Sequence, residues 1–557
     1  MWSGALTSPG FISHAIRRIG WFGAVGARMS AGVRMMMNRW RLPVLISGVI
    51  VASLALCSCG GGGTPDRPAA RAAAGAAPAV AGTGPAVEAR STTVTSFDGT
   101  KIVTHFFPAT GLRAGGRAPT VLDGPGWGQP GETDPKAATG SIAPLVAAGY
   151  NVVTWDPRGF GGSGGTAHTD YTPFEGRDLT AVVTWLARQP EAQLDATGDP
   201  RVGMVGGSYG GGIQFIAAAS DRRIDAIVPA IAWHSLTESL YPDTVNKAGW
   251  DGLLCQIGQS GKNRLDPHVL DSCQASRTNT PLSSDTLAWF ADHGPDLLLA
   301  KIHVPTLILQ GTVDTLFPLA QGIENYQALH GKVPVKMAWF CGGHGECLTN
   351  PGPADHTEQL TLSWLDRYLR QRTGTATGPG FEYVDDTGTW YGLASYPPAS
   401  SGSLTATGQG TLTLDPSVTT GSATAAGPAA AGTAVESAVS PPAAAGEILG
   451  APKLTVTYQG TATPADTVAY AQLVDTDRHL VVGNQATPVK LRLDGQKHSV
   501  TVSMAAVAWH VAPGSHLVLQ VVAGSALFAP QTSHGTASLS VSLAAPLAKT
   551  GTPIPAS

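Results

Sequence analysis

One short segment carries the clearest chemical pattern in the sequence. Residues 202–212 read Val-Gly-Met-Val-Gly-Gly-Ser-Tyr-Gly-Gly-Gly, in which Gly206, Ser208 and Gly210 form a G-x-S-x-G motif. An apolar run leads into the motif, and a second apolar run follows it over 213–219. A strand, a tight turn and a helix in this order form a nucleophile elbow, which exposes the serine above the edge of a sheet. The sequence therefore predicts that Ser208 is a nucleophile.

A second stretch fits the same motif. Residues 161–165 read Gly-Gly-Ser-Gly-Gly, but no helical pattern follows them, and they continue the loop Asp-Pro-Arg-Gly-Phe that begins at Asp156. Because the elbow requires a helix directly after the serine, we assign the nucleophile to Ser208 rather than to Ser163.

A serine hydroxyl is a weak nucleophile and needs a base, which a third group orients. In sites of this kind the acid and then the histidine follow the serine along the chain. Asp314 lies just past the apolar run 307–310, in a loop that contains a glycine. Asp292 and Asp296 have no strand before them. We therefore predict that Asp314 is the acid.

The base is predicted in the same way. His344 follows the next apolar run, 335–340, in the glycine-rich loop Cys-Gly-Gly-His-Gly. His356 opens a helical pattern and is better suited to a surface position. The pattern thus predicts a triad in which His344 takes the proton of Ser208 while Asp314 orients the imidazole ring.

Such a reaction also needs two N–H donors for the oxyanion. The backbone N–H of Tyr209, at the start of the helix after the nucleophile, is the first candidate. The loop 123–128, Asp-Gly-Pro-Gly-Trp-Gly, follows an earlier apolar run and supplies the second. We assign that second donor to the N–H of Trp127, although the loop could be only a glycine-rich turn.

The segments around these residues define a fold class. Short apolar runs, which we predict to be strands, alternate with helical patterns. The helical patterns lie at 178–188 and 359–370. The predicted strands are 119–122, 151–155, 202–205, 226–228, 306–310 and 335–340. This alternation is typical of a parallel sheet covered by helices on both faces. Residues 235–300 interrupt it and are predicted to form a short cap. The prediction from this alternation is an α/β domain built on such a sheet.

The pattern changes after about residue 374. Six strand-like runs follow, separated by turn residues, with no competing helical pattern: 454–458, 467–473, 489–493, 498–502, 516–522 and 537–543. They predict an all-β, jelly-roll-like sandwich. Residues 416–446 are rich in Ala, Gly, Ser, Thr and Pro, and we interpret them as a disordered, low-complexity insert in this domain.

Length and composition agree with this division. The chain has 557 residues, and its length alone favours about three domains. Its formal net charge is −4 and charged residues make up 13% of it, which gives no indication of nucleic-acid binding. The predicted organisation is an N-terminal extension and export signal over 1–59, a disordered tether over 60–91, a catalytic domain over 92–374 and the β-sandwich over 375–557.

The N-terminal region predicts export. Arg39 and Arg41 precede an apolar run of about fifteen residues, as in a signal peptide, and the run ends in Leu-Cys-Ser-Cys at 56–59. This ending is similar to a lipoprotein box with Cys59 as the lipidated residue, although Cys57 is unusual there. A cleaved signal and an uncleaved anchor helix are the alternatives. We predict an exported protein held at the cell envelope by its lipid.

The remaining cysteines agree with export. Four cysteines in an exported chain suggest two disulfides, and we favour the local pairs Cys255–Cys273 and Cys341–Cys347. The alternative for the second pair is a metal site with His344, but three ligands within seven residues lack the usual zinc spacing. We therefore predict no metal.

These motifs resemble those of the cocaine esterase and X-prolyl dipeptidyl-peptidase group of α/β-hydrolases. The resemblance covers about 92–557 and rests on Gly-Gly-Ser-Tyr-Gly-Gly at 206–211, Gln-Gly-Thr-Val-Asp at 310–314 and Gly-His at 343–344. Further similar segments are 390–398, 471–475 and 513–517. The family implies serine hydrolysis, without a cofactor, of acyl esters or of the bond after a penultimate proline.

Some features depart from the family. Its oxyanion loop commonly offers a tyrosine side chain, which 124–128 lacks, and the cap is short. A dipeptidyl-peptidase also needs acids for the substrate ammonium group; Glu238, Asp243 and Asp251 are the available candidates. We therefore predict a serine hydrolase of the dipeptidyl-peptidase or acyl esterase type that acts on a small ester or peptide. The alternatives are an ester hydrolase without peptidase activity and a surface-binding lipoprotein whose hydrolase domain is inactive.

Overall fold

The computed structural model describes residues 83–137 and 140–555. The predicted export signal, Cys59 and most of the predicted tether lie outside these residues. Within the part that is described, no helix is both long enough and apolar enough to cross a membrane.

A large mixed sheet forms the centre of the catalytic domain. Its middle strands β3, β4 and β7–β11 run parallel, and β1 and β2 add an antiparallel edge. The order across the described sheet is β1-β2-β4-β3-β7-β8-β9-β10-β11-β12-β22, where β22 is Thr552–Pro553, while β5 and β6 pair separately. The first twelve strands are β1 Arg90–Thr95, β2 Lys101–Phe107, β3 Thr120–Gly124, β4 Asn151–Trp155, β5 Leu194–Ala196, β6 Asp199–Pro200, β7 Val202–Gly207, β8 Ile224–Ala230, β9 Thr306–Gly311, β10 Val335–Phe340, β11 Phe381–Val384 and β12 Trp390–Leu393.

Helices cover the sheet and build the cap. The sheet-covering helices are α1 Ile142–Ala147, α2 Arg177–Leu186, α3 Tyr209–Ser220, α8 Leu319–Leu329 and α9 His356–Tyr368, and the cap between β8 and β9 contains α4 Leu236–Leu240, α5 Ala248–Gly258, α6 Pro267–Thr278 and α7 Ser284–Ala291. Single helical turns lie at Thr172–Gly176, Pro242–Thr244, Pro295–Leu297, Leu299–Lys301 and Val482–Asn484. The central strands are buried on both faces, which explains why they form continuous apolar runs in the sequence. The predicted α/β-hydrolase fold is confirmed.

The second part of the chain is a β-sandwich built from long antiparallel strands. These are β13 Ser400–Leu414, β14 Ala434–Ala438, β15 Gly446–Gly450, β16 Lys453–Asp475, β17 Leu480–Val481, β18 Thr487–Ser503, β19 Val507–Val511, β20 Leu517–Val522 and β21 His534–Ala548. Inward apolar residues alternate with exposed Ser and Thr along β21, as expected for a sheet with one solvated face. The two predicted strands 454–458 and 467–473 are parts of the single strand β16, whose pairing with β18 shifts register between Gln459 and Asp466.

The sheet of the catalytic domain extends further along the chain than the sequence indicated. β11 pairs in parallel with β10, and β12 pairs with β11, so both belong to the catalytic sheet although they follow residue 374. A last strand, β22 Thr552–Pro553, returns from the sandwich to pair with β12. The pattern change near residue 374 is therefore a loop before β11 rather than a boundary between the two sheets.

The interpretation of 416–446 as disordered is wrong for much of this segment. Ala434–Ala438 forms β14, which pairs with β20 along its whole length. The amide N–H of Ala426 donates to the carbonyl of Asn484, and the Ala426 side chain is buried. Small residues without apolar periodicity here satisfy their backbone groups through neighbouring strands, which composition alone does not reveal.

Candidate active site

Ser208 occupies the sharp turn between β7 and α3. Its backbone has φ 58° and ψ −120°, a conformation that L-residues other than glycine rarely adopt and that marks local strain at functional sites. Glycine is required at both flanking positions because a side chain there would collide with neighbouring backbone atoms. A Cβ on Gly206 would lie 2.6 Å from the carbonyl oxygen of Gly124, and one on Gly210 would lie 1.9 Å from the same atom. The turn thus has the strand–serine–helix form that the motif predicts.

The structure brings the three predicted triad residues together. The Nε2 of His344 lies 2.8 Å from the Oγ of Ser208, and the Nδ1 of His344 lies 2.7 Å from the Oδ2 of Asp314. The side chains of His344 and Asp314 are fully shielded from solvent. With its proton on Nδ1, the imidazole donates to the carboxylate and can accept the serine proton at Nε2.

Backbone amides hold the carboxylate of Asp314 in place. Its Oδ1 accepts the N–H groups of Leu316 and Phe317, at 3.0 and 2.8 Å. Its Oδ2 accepts the N–H of His344 at 3.1 Å as well as the imidazole. These bonds fix the orientation of the carboxylate, so the acid is in position before any substrate arrives.

The residues that we rejected make structural bonds elsewhere. Ser163 donates to the carbonyl of Asp156 and accepts the N–H of Val103. Asp292 accepts the hydroxyl of Tyr171 in the cap, and His356, at the start of α9, contacts Glu382.

The two residues that we predict to supply the oxyanion donors line the same cavity as Ser208. Tyr209 is the first residue of α3, and N–H groups in the first turn of a helix have no intrahelical acceptor. Trp127 lines the cavity next to Ser208; its indole N–H donates to the carbonyl of Leu254, and its ring packs edge-on against Tyr209. The backbone N–H of Trp127 as second donor stays a prediction.

An apolar cavity of about 70 Å³ lies beside Ser208. The cap and the loop after Asp314 supply most of its walls, which include Trp233, Leu254, Phe290, Leu316 and Phe317. Asp251, on α5, is the one charged side chain that lines it among the described residues. Burial raises the pKa of Asp251 to about 7, an effect that the nearby Lys247 opposes.

Of the three acids proposed for an ammonium group, the structure brings only Asp251 to this cavity. Glu238 and Asp243 line a separate cleft of about 580 Å³ between the cap and the sandwich. The cavity beside Ser208 therefore offers one carboxyl group, not a cluster.

Both predicted disulfides are present. Cys255–Cys273 joins α5 to α6 in the cap, and Cys255 also lines the cavity beside Ser208. Cys341–Cys347 closes a short loop that contains His344. Because both sulfurs of this loop are bonded to each other, the alternative zinc site loses two of its three ligands.

A group of buried polar residues behind the nucleophile was not predicted. Arg158 makes two hydrogen bonds to Asp178, each of 2.7 Å. Burial raises the pKa of Glu175 to about 8 and raises that of Asp170 well above its usual range. The N–H of Asp170 lies 3.4 Å from the hydroxyl of Tyr209. This group lies beneath the start of α3, where it supports the turn that carries Ser208.

The loops of the acid and the base are also held from outside the sheet. The ammonium group of Lys247, in the cap, donates to the carbonyls of Thr315 and Leu316, at 2.8 and 3.1 Å. From the sandwich, Gln485 donates to the carbonyl of Asp314 at 2.7 Å, and Asn484 donates to that of Glu346 at 3.1 Å. No local motif marks these residues, because their partners are distant in the sequence.

Comparisons with known proteins agree with this site and fold. Residues 98–346 match the family model of X-Pro dipeptidyl-peptidase (S15 family). A solved α-amino acid ester hydrolase is similar over 87% of this chain and all of its own, with a TM-score of 0.64 and 16% identity. A CocE/NonD family hydrolase from Staphylococcus aureus is similar over 83% of this chain and 93% of its own, with a TM-score of 0.61 and 14% identity. At these identities the solved structures show the fold.

A curated relative is similar to this chain over a much shorter region than the solved structures are. An uncharacterized 31.7 kDa protein of Escherichia coli is 35% identical over 89 residues, which are 16% of this chain and 29% of that protein. The chain thus matches about 29% of the length of this relative.

The described chain therefore has an α/β-hydrolase fold, and residues 98–346 of it match the X-Pro dipeptidyl-peptidase (S15) family model. The predicted resemblance to the cocaine esterase and X-prolyl dipeptidyl-peptidase group is confirmed.

Proposed function

We propose that the protein is an exported serine hydrolase that cleaves small acyl esters through Ser208, His344 and Asp314. His344 takes the proton of Ser208 as the serine oxygen attacks the acyl carbon. His344 then gives this proton to the leaving group, and an acyl-enzyme remains. Water, deprotonated by His344, then attacks the acyl carbon; the Ser208 oxygen leaves, takes the proton back from His344, and the carboxylic acid is released. Asp314 stabilises the imidazolium in both steps.

The oxyanion that forms in each step requires donors that are already in place. The N–H of Tyr209 is the first proposed donor and that of Trp127 the second. Each such donor contributes roughly 10²–10³ in rate. The strained turn at Ser208 fixes the serine oxygen and the N–H of Tyr209 relative to each other.

The observation that carries this proposal is the continuous pair of hydrogen bonds from Ser208 to His344 and from His344 to Asp314, of 2.8 and 2.7 Å. A fluorophosphonate probe tests it. We expect labelling of the wild type and no labelling of Ser208→Ala. Ser272→Ala is the matched control, since Ser272 lines the same cavity, and it should label normally. Folded wild-type protein that stays unlabelled would sink the proposal.

The cavity favours an ester with a small, uncharged acyl group. Its walls are mostly aromatic and aliphatic, and apolar walls bind apolar groups through loss of water-exposed surface. We expect p-nitrophenyl acetate and butyrate to be hydrolysed with a higher kcat/KM than p-nitrophenyl decanoate. A preference for the decanoate would contradict a small acyl cavity.

Dipeptidyl-peptidase activity is the second candidate, because Asp251 could bind a substrate ammonium group. A panel with Ala-Pro-p-nitroanilide beside the esters decides between the two. If the peptide is the substrate, Asp251→Asn raises KM for the anilide and leaves KM for the butyrate ester unchanged, and the wild-type KM for the anilide falls as pH rises through about 7. Turnover of the anilide alone would end the ester proposal.

Export and lipid attachment at Cys59 are part of the proposal. The apolar run behind Arg39 and Arg41 supports them, and so do two disulfides in the folded chain, since disulfides persist mainly in oxidising compartments. We expect the full chain expressed in a bacterial host to fractionate with membranes. Cys59→Ala should no longer incorporate a labelled fatty acid, whereas the matched variant Cys57→Ala should still do so. Equal incorporation in the two variants would overturn lipid attachment at Cys59.

A further inference from the structure

A cluster of ionisable side chains lies at the junction of the catalytic sheet and the β-sandwich. Asp385 directly follows β11, and Glu447 and His510 are directly opposite each other on β15 and β19. One possible ligand atom from each of the three lies within 4.8 Å of the other two. The serine hydrolase mechanism uses none of them.

The hydrogen bonds of this cluster leave ligand capacity unused. The Oε1 of Glu447 accepts from His510 Nδ1 at 3.0 Å and from the hydroxyl of Thr550 at 3.1 Å. Its Oε2 has no hydrogen-bonding partner in the described residues, although Glu447 is completely buried. A buried carboxylate oxygen without a partner is costly.

The charges around the cluster are also unbalanced. The neighbouring acids Asp386 and Asp475 share an arginine, Arg478. In the described residues, no lysine or arginine forms an ion pair with Asp385 or Glu447, and His510 is the one basic group that contacts Glu447. Two buried carboxyl groups facing one imidazole therefore lack a full positive charge, which a cation would supply.

We propose that Asp385, Glu447 and His510 bind a divalent transition-metal ion of the Zn²⁺ type, which joins the catalytic sheet to the sandwich. Two carboxylate oxygens and an imidazole nitrogen suit such an ion, whereas Mg²⁺ and Ca²⁺ prefer oxygen ligands alone. Zn–O and Zn–N bonds are about 2.0–2.2 Å, so tetrahedral ligands lie about 3.4 Å apart. Glu447 Oε1 and His510 Nδ1, which are 3.0 Å apart, already approach this separation. The possible ligand atom of Asp385 lies within 4.8 Å of the possible ligand atoms of both residues.

This role is structural, and it differs from the zinc alternative at Cys341, His344 and Cys347. Asp385 belongs to the end of a catalytic strand, whereas both other ligands belong to the sandwich. The ion would hold these elements together without contact with Ser208. The proposal is independent of the hydrolase chemistry.

Metal binding to the whole protein tests the proposal. The protein is first dialysed against EDTA, then given ZnCl₂ and passed through gel filtration. We expect about one Zn²⁺ per chain by elemental analysis and a rise in Tm of about 2–5 °C. Glu447→Gln and Asp385→Asn should each lose the retained Zn²⁺ and the Tm shift; either one serves if the other fails to fold. MgCl₂ and CaCl₂ should give no comparable shift.

Two controls separate this site from others. His516 and Asp477 form an exposed pair of similar chemistry, 2.9 Å apart, so His516→Gln should keep the Zn²⁺. Protein blocked at Ser208 by a fluorophosphonate should also keep it. Absence of retained Zn²⁺ and of a Tm shift in the wild type would overturn the proposal, as would loss of binding in His516→Gln or in the blocked protein.

Discussion

The side-chain amide of Gln485 donates a 2.7 Å hydrogen bond to the backbone carbonyl of Asp314. The two residues are 171 positions apart, and they connect the β-sandwich to the loop that carries the proposed catalytic acid. Lys247, from the cap, donates to the next two carbonyls of the same loop. The position of Asp314 therefore depends on all three parts of the described chain.

Removal of this contact should slow the reaction. Gln485→Ala leaves a buried carbonyl without its donor, and the loop can shift to find another. We expect kcat to fall about tenfold, which corresponds to about 1.4 kcal/mol, with KM nearly unchanged. Gln459→Ala is the control, because Gln459 donates to the carbonyl of Gly495 on the exposed surface. An equal loss of activity in both variants would contradict a positioning role for Gln485.

The close packing of α3 against β3 should make one glycine indispensable. A Cβ on Gly210 would lie 1.9 Å from the carbonyl oxygen of Gly124, so Gly210→Ala must displace the turn that carries Ser208. We expect at least about a 100-fold loss of kcat/KM, since small displacements of reacting groups have effects of this size. The control is Gly252→Ala in α5, where a Cβ meets no atom within 4 Å. It should keep its activity and gain up to about 1 kcal/mol of stability from helix propensity.

The two disulfides should affect different kinetic constants. Loop-closure entropy assigns about 2 kcal/mol to Cys341–Cys347 and about 3 kcal/mol to Cys255–Cys273, which closes the longer loop. The double variant Cys341→Ser/Cys347→Ser should mainly lower kcat, because its loop holds His344. Cys255→Ser/Cys273→Ser should lose more stability and mainly raise KM, because Cys255 lines the cavity. Steady-state kinetics and thermal unfolding measure both, and the reverse pattern would refute these roles.

A partly buried acid far from the site should make stability depend on pH. Burial, with help from Asp195 and Asp199, raises the pKa of Asp225 to about 7. The unfolded chain releases this proton near pH 3.9, so between about pH 4 and 7 the folded protein binds more protons and its stability falls as pH rises. Asp225→Asn should remove this pH-dependent loss of stability, because asparagine does not titrate.

We therefore expect Asp225→Asn to be about 2 kcal/mol more stable than the wild type at pH 8, a value reduced for partial solvation. At pH 5 the difference should be smaller. Urea unfolding at both pH values measures it, and Asp466→Asn, at an exposed carboxyl group of the sandwich, is the control. A difference between Asp225→Asn and the wild type that does not change with pH would rule out this origin.

The sequence predicted the triad positions because each residue follows a recognisable strand. Ser208 comes after β7, Asp314 after β9 and His344 after β10, and the ends of parallel strands meet at one edge of a sheet. Gln485 and Lys247 could not be found in this way, because each acts through a contact that exists only after folding. Their own neighbours in the sequence carry no motif.

The wrong predictions about residues 381–393 and 416–446 have a related cause. β11 and β12 follow a loop in which the pattern changes, so residues 381–393 were assigned to the sandwich although they pair with the catalytic sheet. β14 has one large apolar residue, the buried Val435, among small and polar ones, and its pairing with β20 overrides the disorder that composition indicated. Strand pairing is a tertiary interaction, and local propensity predicts it poorly.

The return of β22 to β12 has a consequence for biosynthesis. Tyr391 and Gly392 pair with Pro553 and Thr552, so the rim of the catalytic sheet is covered only after the ribosome has completed the whole sandwich. A truncated product ending near residue 400 would contain Ser208, Asp314 and His344 and yet present β12 as a bare strand. Uncovered strands of this kind recruit other chains. Interrupted translation should therefore yield aggregates, even though every proposed catalytic group has already been made.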